Sequence, residues 1–313
     1  MRISAKSSLI LVQRMIMSMN KTNFSLATTS DGSFSLHESK LDELYHNRAG
    51  AFTEAMVTYV EPACQYFKEK MAAGHSLSVL DSCFGLGYNS LALANYIQKN
   101  QKNQKIGLDI DCIEIDGSVL ELLPQVVDQP CLSEIAQAFK NSAVNLADFN
   151  GGTIAADSVR FQIFICDLRL FVQKAQRKMG GYDLIFHDPF SPKKVPELWT
   201  VDLFRHYHRL LADGGVIFTY SSAPAVRGAL LELGFKVFRT TALGGKVGGT
   251  MAIRAECDTV TIAPGDCILT LSADELKRLT TSSRVPYRDE NLGAGKEQIL
   301  VRREAEQKIF LSK

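Results

Sequence analysis

The sequence offers little by which to assign a partner or a compartment. Its 35 basic and 34 acidic side chains leave a formal net charge of +1, so no excess of one sign marks a binder of polyanions. A local basic face can still sit inside a neutral total. Seven cysteines are an odd number, and their spacing matches neither a paired zinc motif nor a small secreted disulfide scaffold. Reduced thiols in a cytoplasmic protein, with no metal site, are the expectation. No internal repeat recurs. Acidic residues are missing before Asp31, and the basic, Ser- and Met-rich start has an apolar run broken by Gln13 and Arg14. That run makes a poor signal peptide and is too short to span a bilayer, so no membrane association is expected. A transit peptide, or a start codon read upstream of Met15, Met17 or Met19, suits it, and residues 1–27 are expected to be disordered.

What is present suffices for a full core with appendages, since 46% of residues are hydrophobic and 22% charged. Over residues 28–76, a polar turn at Asp31-Gly32, a short strand and an amphipathic helix from about Ala51 to Phe67 predict an N-terminal extension. From Leu77 onward, strand-like apolar runs alternate with helical stretches. The runs are LSVLD (77–81), LDIDCIEID (108–116), FQIFICD (161–167), YDLIFHD (182–188), GVIFTYS (215–221), FKVFRT (235–240) and MAIRA (251–255). This order predicts an α/β domain over 77–255, a doubly wound and mostly parallel sheet covered on both faces. A C-terminal extension follows over 256–313. The stretch 122–157 is longer than a crossover needs and predicts helices over one face.

Ligands of such sheets bind beyond the carboxyl ends of the strands. Four successive runs end in an acid there: Asp81, Glu114, Asp167 and Asp188. Any one could be an ordinary exposed strand end, but four together suggest a bound group that accepts their charge. After the first strand, DSCFGLGYNSLALANYI places Gly85 and Gly87 in a sharp turn before a helix. A dinucleotide site calls for a third glycine under the pyrophosphate, and Ser90 or Leu91 stands there instead. Asp81 just before the turn repels a diphosphate and attracts a cation.

That order resembles the acid-x-G-x-G-x-G motif of class I methyltransferases, with Cys83 at the first glycine position. The resemblance implies a Rossmann-like S-adenosyl-L-methionine-dependent fold. It implies that Asp81 faces the methionyl ammonium, that Glu114 accepts from the ribose hydroxyls, and that Asp167 accepts from the adenine amino group. Asp116 is the alternative in the ribose role, on the same face of the strand as Glu114. Further on, HDPFSPKKVPELW resembles the Asp/Asn-Pro-Pro-aromatic signature of enzymes that methylate amino nitrogens. A nitrogen nucleophile must aim its lone pair at the methyl group while its hydrogens point at acceptors. Asp188 and the carbonyl of Pro189 supply two such acceptors, and Phe190 a face for a flat base. Asp188 could also take the proton of an alkyl ammonium. Pro189 and Pro192 stiffen the loop. Against this stands the simpler possibility that Asp188 caps a helix from about Pro196 to Leu211.

Together with TTSDGSFSLHESKLDELYHNRAGAFTEA and the run from Tyr182 to Val237, these motifs make the chain similar to the methyltransferase half of MnmC-type tRNA enzymes, over roughly Thr28 to Ala255. The resemblance implies N-methylation of the aminomethyl group on C5 of the wobble uridine, in the anticodon region of tRNA. Asp188 then lies beside the amine, Phe190, Pro192 and Trp199 shape its pocket, and Tyr45 and His46 lie near cofactor or substrate, unless they only pack the N-terminal extension. Bifunctional members carry an FAD-dependent oxidase domain for which 313 residues leave no room, so upstream wobble-uridine enzymes are expected to supply the aminomethyl substrate. Val195 stands where the family often has asparagine. Whether the uridine is 2-thiolated, and the oligomeric state, are left open. For the tRNA itself, Lys193 and Lys194 are the favoured contacts, with Lys246 and Arg254 around a Gly-rich hairpin, and Arg302 and Arg303 as either contacts or a solvated helix face. The alternative functions are methyl or aminopropyl transfer to a small amine, and non-catalytic binding of cofactor or RNA. His206 and His208, two apart on a helix, do not form a metal pair.

Overall fold

The computed structural model describes residues 24–38, 43–46, 50–100, 106–142, 146, 151–175, 180–241, 248–256, 262 and 267–312. Strands β1 (Phe24–Thr28), β2 (Phe34–Glu38) and β3 (Glu43–Leu44) form a small antiparallel sheet. Strand β1 therefore begins inside the segment expected to be disordered, and residues 1–23 lie outside the described residues. The turn between β1 and β2 uses Gly32 at φ 83°, and Asp31 reaches across to accept from the backbone N–H of Thr53 at 2.9 Å. Its carboxyl ends up well below the usual carboxylate range because Ser33 and Thr53 donate to it, outweighing its partial burial.

The main sheet is built on β4 (Leu77–Asp81). It pairs in parallel with β5 (Leu108–Glu114) on one side and β8 (Tyr182–Phe186) on the other. Strand β5 continues in parallel to β7 (Val159–Ile165), and β8 to β9 (Leu211–Thr219). The outer members are antiparallel: β6 (Gly152–Ala156) on β7, β11 (Thr250–Ile253) on β9, then β10 (Lys236–Thr240) and β12 (Ile268–Leu269). The order is β12-β10-β11-β9-β8-β4-β5-β7-β6. Among the described strands the sequence reading missed β1 and β3 in the N-terminal sheet, where it expected a single strand, and β6 and β12 in the main sheet. Strand β6 turns into β7 through Asp157 at φ 52°, a left-handed position that aspartate tolerates better than most residues.

Side-chain alternation divides the core in two. Val79, Leu184 and Val216 face one side of the sheet, and Leu80, Ile185 and Ile217 the other, all fully buried. Each such side chain contributes roughly 1.5–3 kcal/mol of apolar burial before entropy is counted. The first face is covered by the N-terminal helical segments, the Tyr88–Asn100 helix and the Ser133–Asn141 helix. The second carries the helices Leu168–Lys174, Val201–Leu210, Pro224–Glu232 and Lys296–Leu311. Within the long insertion, Asn95 accepts from the backbone N–H groups of Glu134 and Ile135 and so caps the Ser133–Asn141 helix from outside.

The C-terminal extension is locked on by buried charge. Arg227, 2% exposed, pairs with Glu275 at 2.7 Å and donates to Thr250. Arg303 donates to the carbonyl of Val285 and lies 4.7 Å over the Tyr287 ring, while Arg302 pairs with Glu290 and Glu306. Both arginines weighed as RNA contacts are thus occupied in holding this extension together. Arg254 donates to the carbonyl of Leu211 at the amino end of β9, at the opposite end of that strand from the crevice. Lys246 lies outside the described residues. No described helix is long and apolar enough to cross a membrane.

Candidate active site

At the carboxyl end of β4 the chain order reverses, β5 lying on one side and β8 on the other, and there a crevice opens. It holds a cavity of about 720 Å³, within the range of small-molecule sites. The glycine turn forms one wall. Gly85 and Gly87 have φ of 54° and 79°, in the left-handed region that glycine enters without penalty. A Cβ on Gly87 would stand 2.5 Å from the Phe84 ring, and one on Gly85 would stand 3.3 Å from the Tyr45 ring. The turn is held by Glu114, whose Oε2 accepts from Gly85 N at 2.8 Å and whose Oε1 accepts from Asp116 N at 2.8 Å.

Three consecutive residues of the following helix anchor it in three directions. Tyr88 donates to Gln129 and accepts from the backbone of Phe34, tying the insertion to β2. Asn89 donates from Nδ2 to Oδ2 of Asp188 at 2.8 Å. Ser90 donates to Oδ2 of Asp81 at 2.6 Å. Asp81 is fully buried beneath the turn, does not line the cavity, and leaves Oδ1 without a partner. Burial pushes its carboxyl up to about 7, against the opposing effect of the Ser90 hydroxyl.

Asp188 and Phe190 line the same cavity as Gly85, Glu114 and Asp167. Asp188 stands two residues beyond the end of β8 and points into the crevice. The helix it was alternatively expected to cap begins at Val201, and Thr200 is its cap, accepting from Leu203 N at 3.2 Å. That leaves Asp188 without a structural role in the helix. Its side chain is held by hydrogen bonds from Tyr59 and Asn89, and its carboxyl is raised by burial, partly offset by these two donors. Pro189 lines the cavity too, but its carbonyl already accepts from the Tyr220 hydroxyl at 3.0 Å. Phe190 meets Tyr45 edge to face at 5.1 Å, and His46 meets Tyr88 at 5.2 Å. The N-terminal extension therefore forms one wall of the cavity. Burial depresses the His46 imidazole to about 4, so it is neutral at physiological pH.

Other expected residues lie outside the lining. Trp199 is fully buried, donates from Nε1 to the Phe190 carbonyl at 2.8 Å and supports the loop from behind. Pro192, exposed Lys193 and half-buried Lys194 belong to the loop but do not face the cavity. Gly87 acts through Phe84. Asp116 caps the Gly117–Leu122 turn through Ser118 N at 2.9 Å and is not among the residues that line the cavity. Asp167 caps the Leu168–Lys174 helix through Arg169 N, and the Arg169 side chain pairs with it at 3.0 Å. An adenine amino group would have to share that carboxylate with Arg169. His187, next to Asp188, is buried among Trp199, Phe204 and Tyr207 with Nδ1 3.0 Å from the hydroxyls of Ser82 and Tyr207. Burial lowers it to about 3, so it is neutral.

The sequence reading overlooked Glu54, Tyr59, Asn89, Arg169, Glu197 and Tyr220. Asn89 carried a signal, being the second residue after a glycine turn that opens a helix. Tyr59 carried none, since its local pattern is that of an apolar helix face. With Glu54, Glu114, Asp167, Asp188 and Glu197, the lining has five carboxylates against one guanidinium, Arg169, among the described residues. The orphaned Asp81 oxygen and this acidic lining fit the sulfonium and ammonium of S-adenosylmethionine and oppose a diphosphate. When bound there, the cofactor would be held by the glycine turn, Glu114 and Asp167, with Asp81 beneath.

Comparison with known proteins agrees with this geometry. A family model described as S-adenosyl-L-methionine-dependent methyltransferase matches residues 130–255. The uncharacterized protein MJ0670 of Methanocaldococcus jannaschii is 30% identical over 284 residues, covering 89% of this chain and 71% of that protein. The tRNA 5-methylaminomethyl-2-thiouridine biosynthesis bifunctional protein MnmC of Burkholderia vietnamiensis is 26% identical over 231 residues, covering 71% of this chain. The match takes in 33% of that protein, so the chain spans about a third of the bifunctional relative. Among solved structures, MnmC2 from Aquifex aeolicus is similar with a TM-score of 0.74 at 24% identity, covering 98% of this chain and 93% of that one. The fold is shared.

Proposed function

Since the chain belongs to the S-adenosyl-L-methionine-dependent methyltransferases, in the branch related to the MnmC methyltransferase domain, we propose that it methylates the aminomethyl nitrogen on C5 of the wobble uridine in tRNA. The observation that carries this reading is the placement of Asp188 and Phe190 in one cavity with the glycine turn. The MnmC relatives, whose names give 5-methylaminomethyl-2-thiouridine biosynthesis, support the choice of substrate.

The cofactor supplies an electrophilic methyl group on a positively charged sulfur. The chain's own residues prepare the amine. A primary alkyl amine is protonated in water, and the Asp188 carboxylate accepts its proton. Burial raises the Asp188 carboxyl, which brings it closer to the amine's own range and makes it a stronger base than an exposed aspartate. Having taken that proton, Asp188 is a neutral carboxyl whose carbonyl oxygen accepts an N–H bond from the amine and orients the nitrogen lone pair. Phe190 and Tyr45 offer aromatic surface against the pyrimidine.

The test is methyl transfer from labelled S-adenosylmethionine to bulk tRNA from cells lacking the modification, followed by nucleoside analysis, with free diamines and polyamines as parallel acceptors. A labelled methylaminomethyl uridine is expected. Label in another nucleoside, or only in the free amines, overturns the reading.

A further inference from the structure

Tyr59 lies in the π-helical turn Met56–Val60 that interrupts the N-terminal helix, and its side chain is fully buried. Single π turns inside helices are frequent at functional sites, because the extra residue re-aims one side chain. Here the re-aimed side chain is Tyr59. Its ring packs edge to face on Phe186, the last residue of β8, at 5.5 Å. Its hydroxyl oxygen accepts from the backbone N–H of Tyr220 at 3.2 Å, and it hydrogen-bonds Asp188. With an N–H already directed at that oxygen and a carboxylate as the other partner, the phenolic proton points at Asp188. Asn89, from the glycine-turn helix, brings the second donor at 2.8 Å. Tyr220 completes the frame by donating its own hydroxyl to Pro189.

The charges around Asp188 explain why donors matter there. Glu54 comes from the N-terminal helix, Asp81 and Cys83 from the end of β4 and its loop, Glu114 from β5 and Tyr220 from the residue after β9. None of these is a cation. The adjoining His187 is neutral, and Arg169, the cation of the described lining, is paired with Asp167. Hydrogen-bond donors, and no counter-charge, are what favour the ionised form of Asp188.

We propose that Tyr59 is a positioning residue for methyl transfer: through its hydroxyl, oriented by Tyr220, it fixes the direction and basicity of the Asp188 carboxylate and couples the N-terminal extension to the loop that meets the amine. The inference rests on the function proposed above. It assigns to the extension a part in the chemistry beyond that of a cover.

The experiment compares the full chain with Tyr59→Phe and with 3-fluorotyrosine at position 59. In Tyr59→Phe, kcat for methyl transfer at neutral pH is expected to fall about tenfold or more, as for loss of a hydrogen bond to a charged group. The dissociation constant for S-adenosylmethionine should stay within about twofold of wild type. The acidic limb of the kcat–pH profile should move to higher pH in Tyr59→Phe and to lower pH with fluorotyrosine, whose phenol is a stronger donor of nearly the same shape. A purely packing role moves neither. The Asp188 carboxyl is also titrated by carbon-13 NMR in the free protein, where no tRNA is needed. A carboxyl titration that shifts in these opposite directions supports the positioning role even if tRNA accepts no methyl group, which would overturn the proposed function alone. Identical titration in wild type and both variants overturns the role of Tyr59. Should Tyr59→Phe fail to fold, the fluorotyrosine protein still decides between the two.

Discussion

Replacing Gly87 by alanine tests whether the glycine turn is shaped by its backbone or merely tolerates glycine. Two costs arise. At φ 79° any L side chain loses roughly 1–2 kcal/mol relative to glycine. The new Cβ would also stand 2.5 Å from the Phe84 ring, about 1 Å inside ordinary contact, and Phe84 is itself 5% exposed within the core. Moving a packed ring by that amount costs about 1–3 kcal/mol more. Gly234 is the matched control: it has φ 84°, and a Cβ there would meet nothing within 4 Å, so Gly234→Ala carries the backbone cost alone. Urea unfolding of the three proteins should place Gly87→Ala about 1–3 kcal/mol below Gly234→Ala. Because Phe84 lines the cavity beside Gly85, whose N–H is tied to Glu114, calorimetric titration should show S-adenosylmethionine binding at least tenfold weaker in Gly87→Ala and unchanged in Gly234→Ala. Equal unfolding free energies, or unaltered cofactor affinity in Gly87→Ala, would refute the claim that this ring contact sets the shape of the turn.

Asp188→Asn keeps the size of the side chain and removes the base; cofactor affinity should persist while methyl transfer drops by about 100-fold or more in a single-turnover assay, and a smaller loss would take Asp188 off the chemistry. The Asp81 carboxyl titrates at about 7 in the folded protein against 3.8 ordinarily, so between these values the folded state holds a proton that the unfolded chain has released. Stability contributed by that proton is present below the lower value and is lost as pH rises through about 7. A cationic cofactor binds better once Asp81 is ionised, so its affinity should increase with pH across the same window, with proton release visible by calorimetry in buffers of different ionisation enthalpy. Asp81→Asn should flatten both trends, and a slope that survives the substitution points to another group. On the proposed tRNA reading, Lys193→Ala with Lys194→Ala should weaken tRNA binding and reduce its log–log salt slope by about one per lysine, leaving cofactor affinity intact; an unchanged slope removes both from the footprint.

The sheet was legible because its central strands are buried on both faces and read as apolar runs, and because the parallel runs stop where the crevice begins. Local rules failed where a residue's partner is distant in sequence. Asp31 looks like an ordinary turn aspartate, yet it binds Thr53. Arg302 and Arg303 look like an exposed basic pair, yet their partners are Glu290, Glu306 and the carbonyl of Val285. Within the site, the acids at strand ends and the two glycines could be picked out by type and spacing. Tyr59 could not, because a π turn gives no periodicity by which to foresee it, and its three contacts, Tyr220, Asp188 and Phe186, lie more than a hundred residues away. Asp81 and Asp167 show the opposite limit. Both were found by position, but their side chains are engaged with Ser90 and Arg169, engagements that only three-dimensional packing creates.

The excess of carboxylates bears on how a nucleic acid would approach. Arg169 answers Asp167 and lies close enough to Glu197 to feel its charge. Glu114 and Asp188 have no cation among the described lining residues. A phosphate entering at roughly 8 Å from one such charge is repelled by about 2 kcal/mol at an effective dielectric constant of 20, and by more from several together. An aminomethyl group meets the reverse field, since it arrives as a cation. On the proposed reading, the uridine therefore enters with C5 and its amine foremost while its phosphates stay at the rim, where Lys193 is exposed. The acidity that attracts the cofactor thus also selects which end of the nucleotide goes in, and a substrate whose amine carries a further carboxylate would lose that attraction. Competition between an aminomethyl and a carboxymethylaminomethyl uridine, measured by transfer rate at low and high salt, checks this: the preference for the cationic amine should narrow as salt screens the field, and a salt-independent preference would assign selectivity to shape instead.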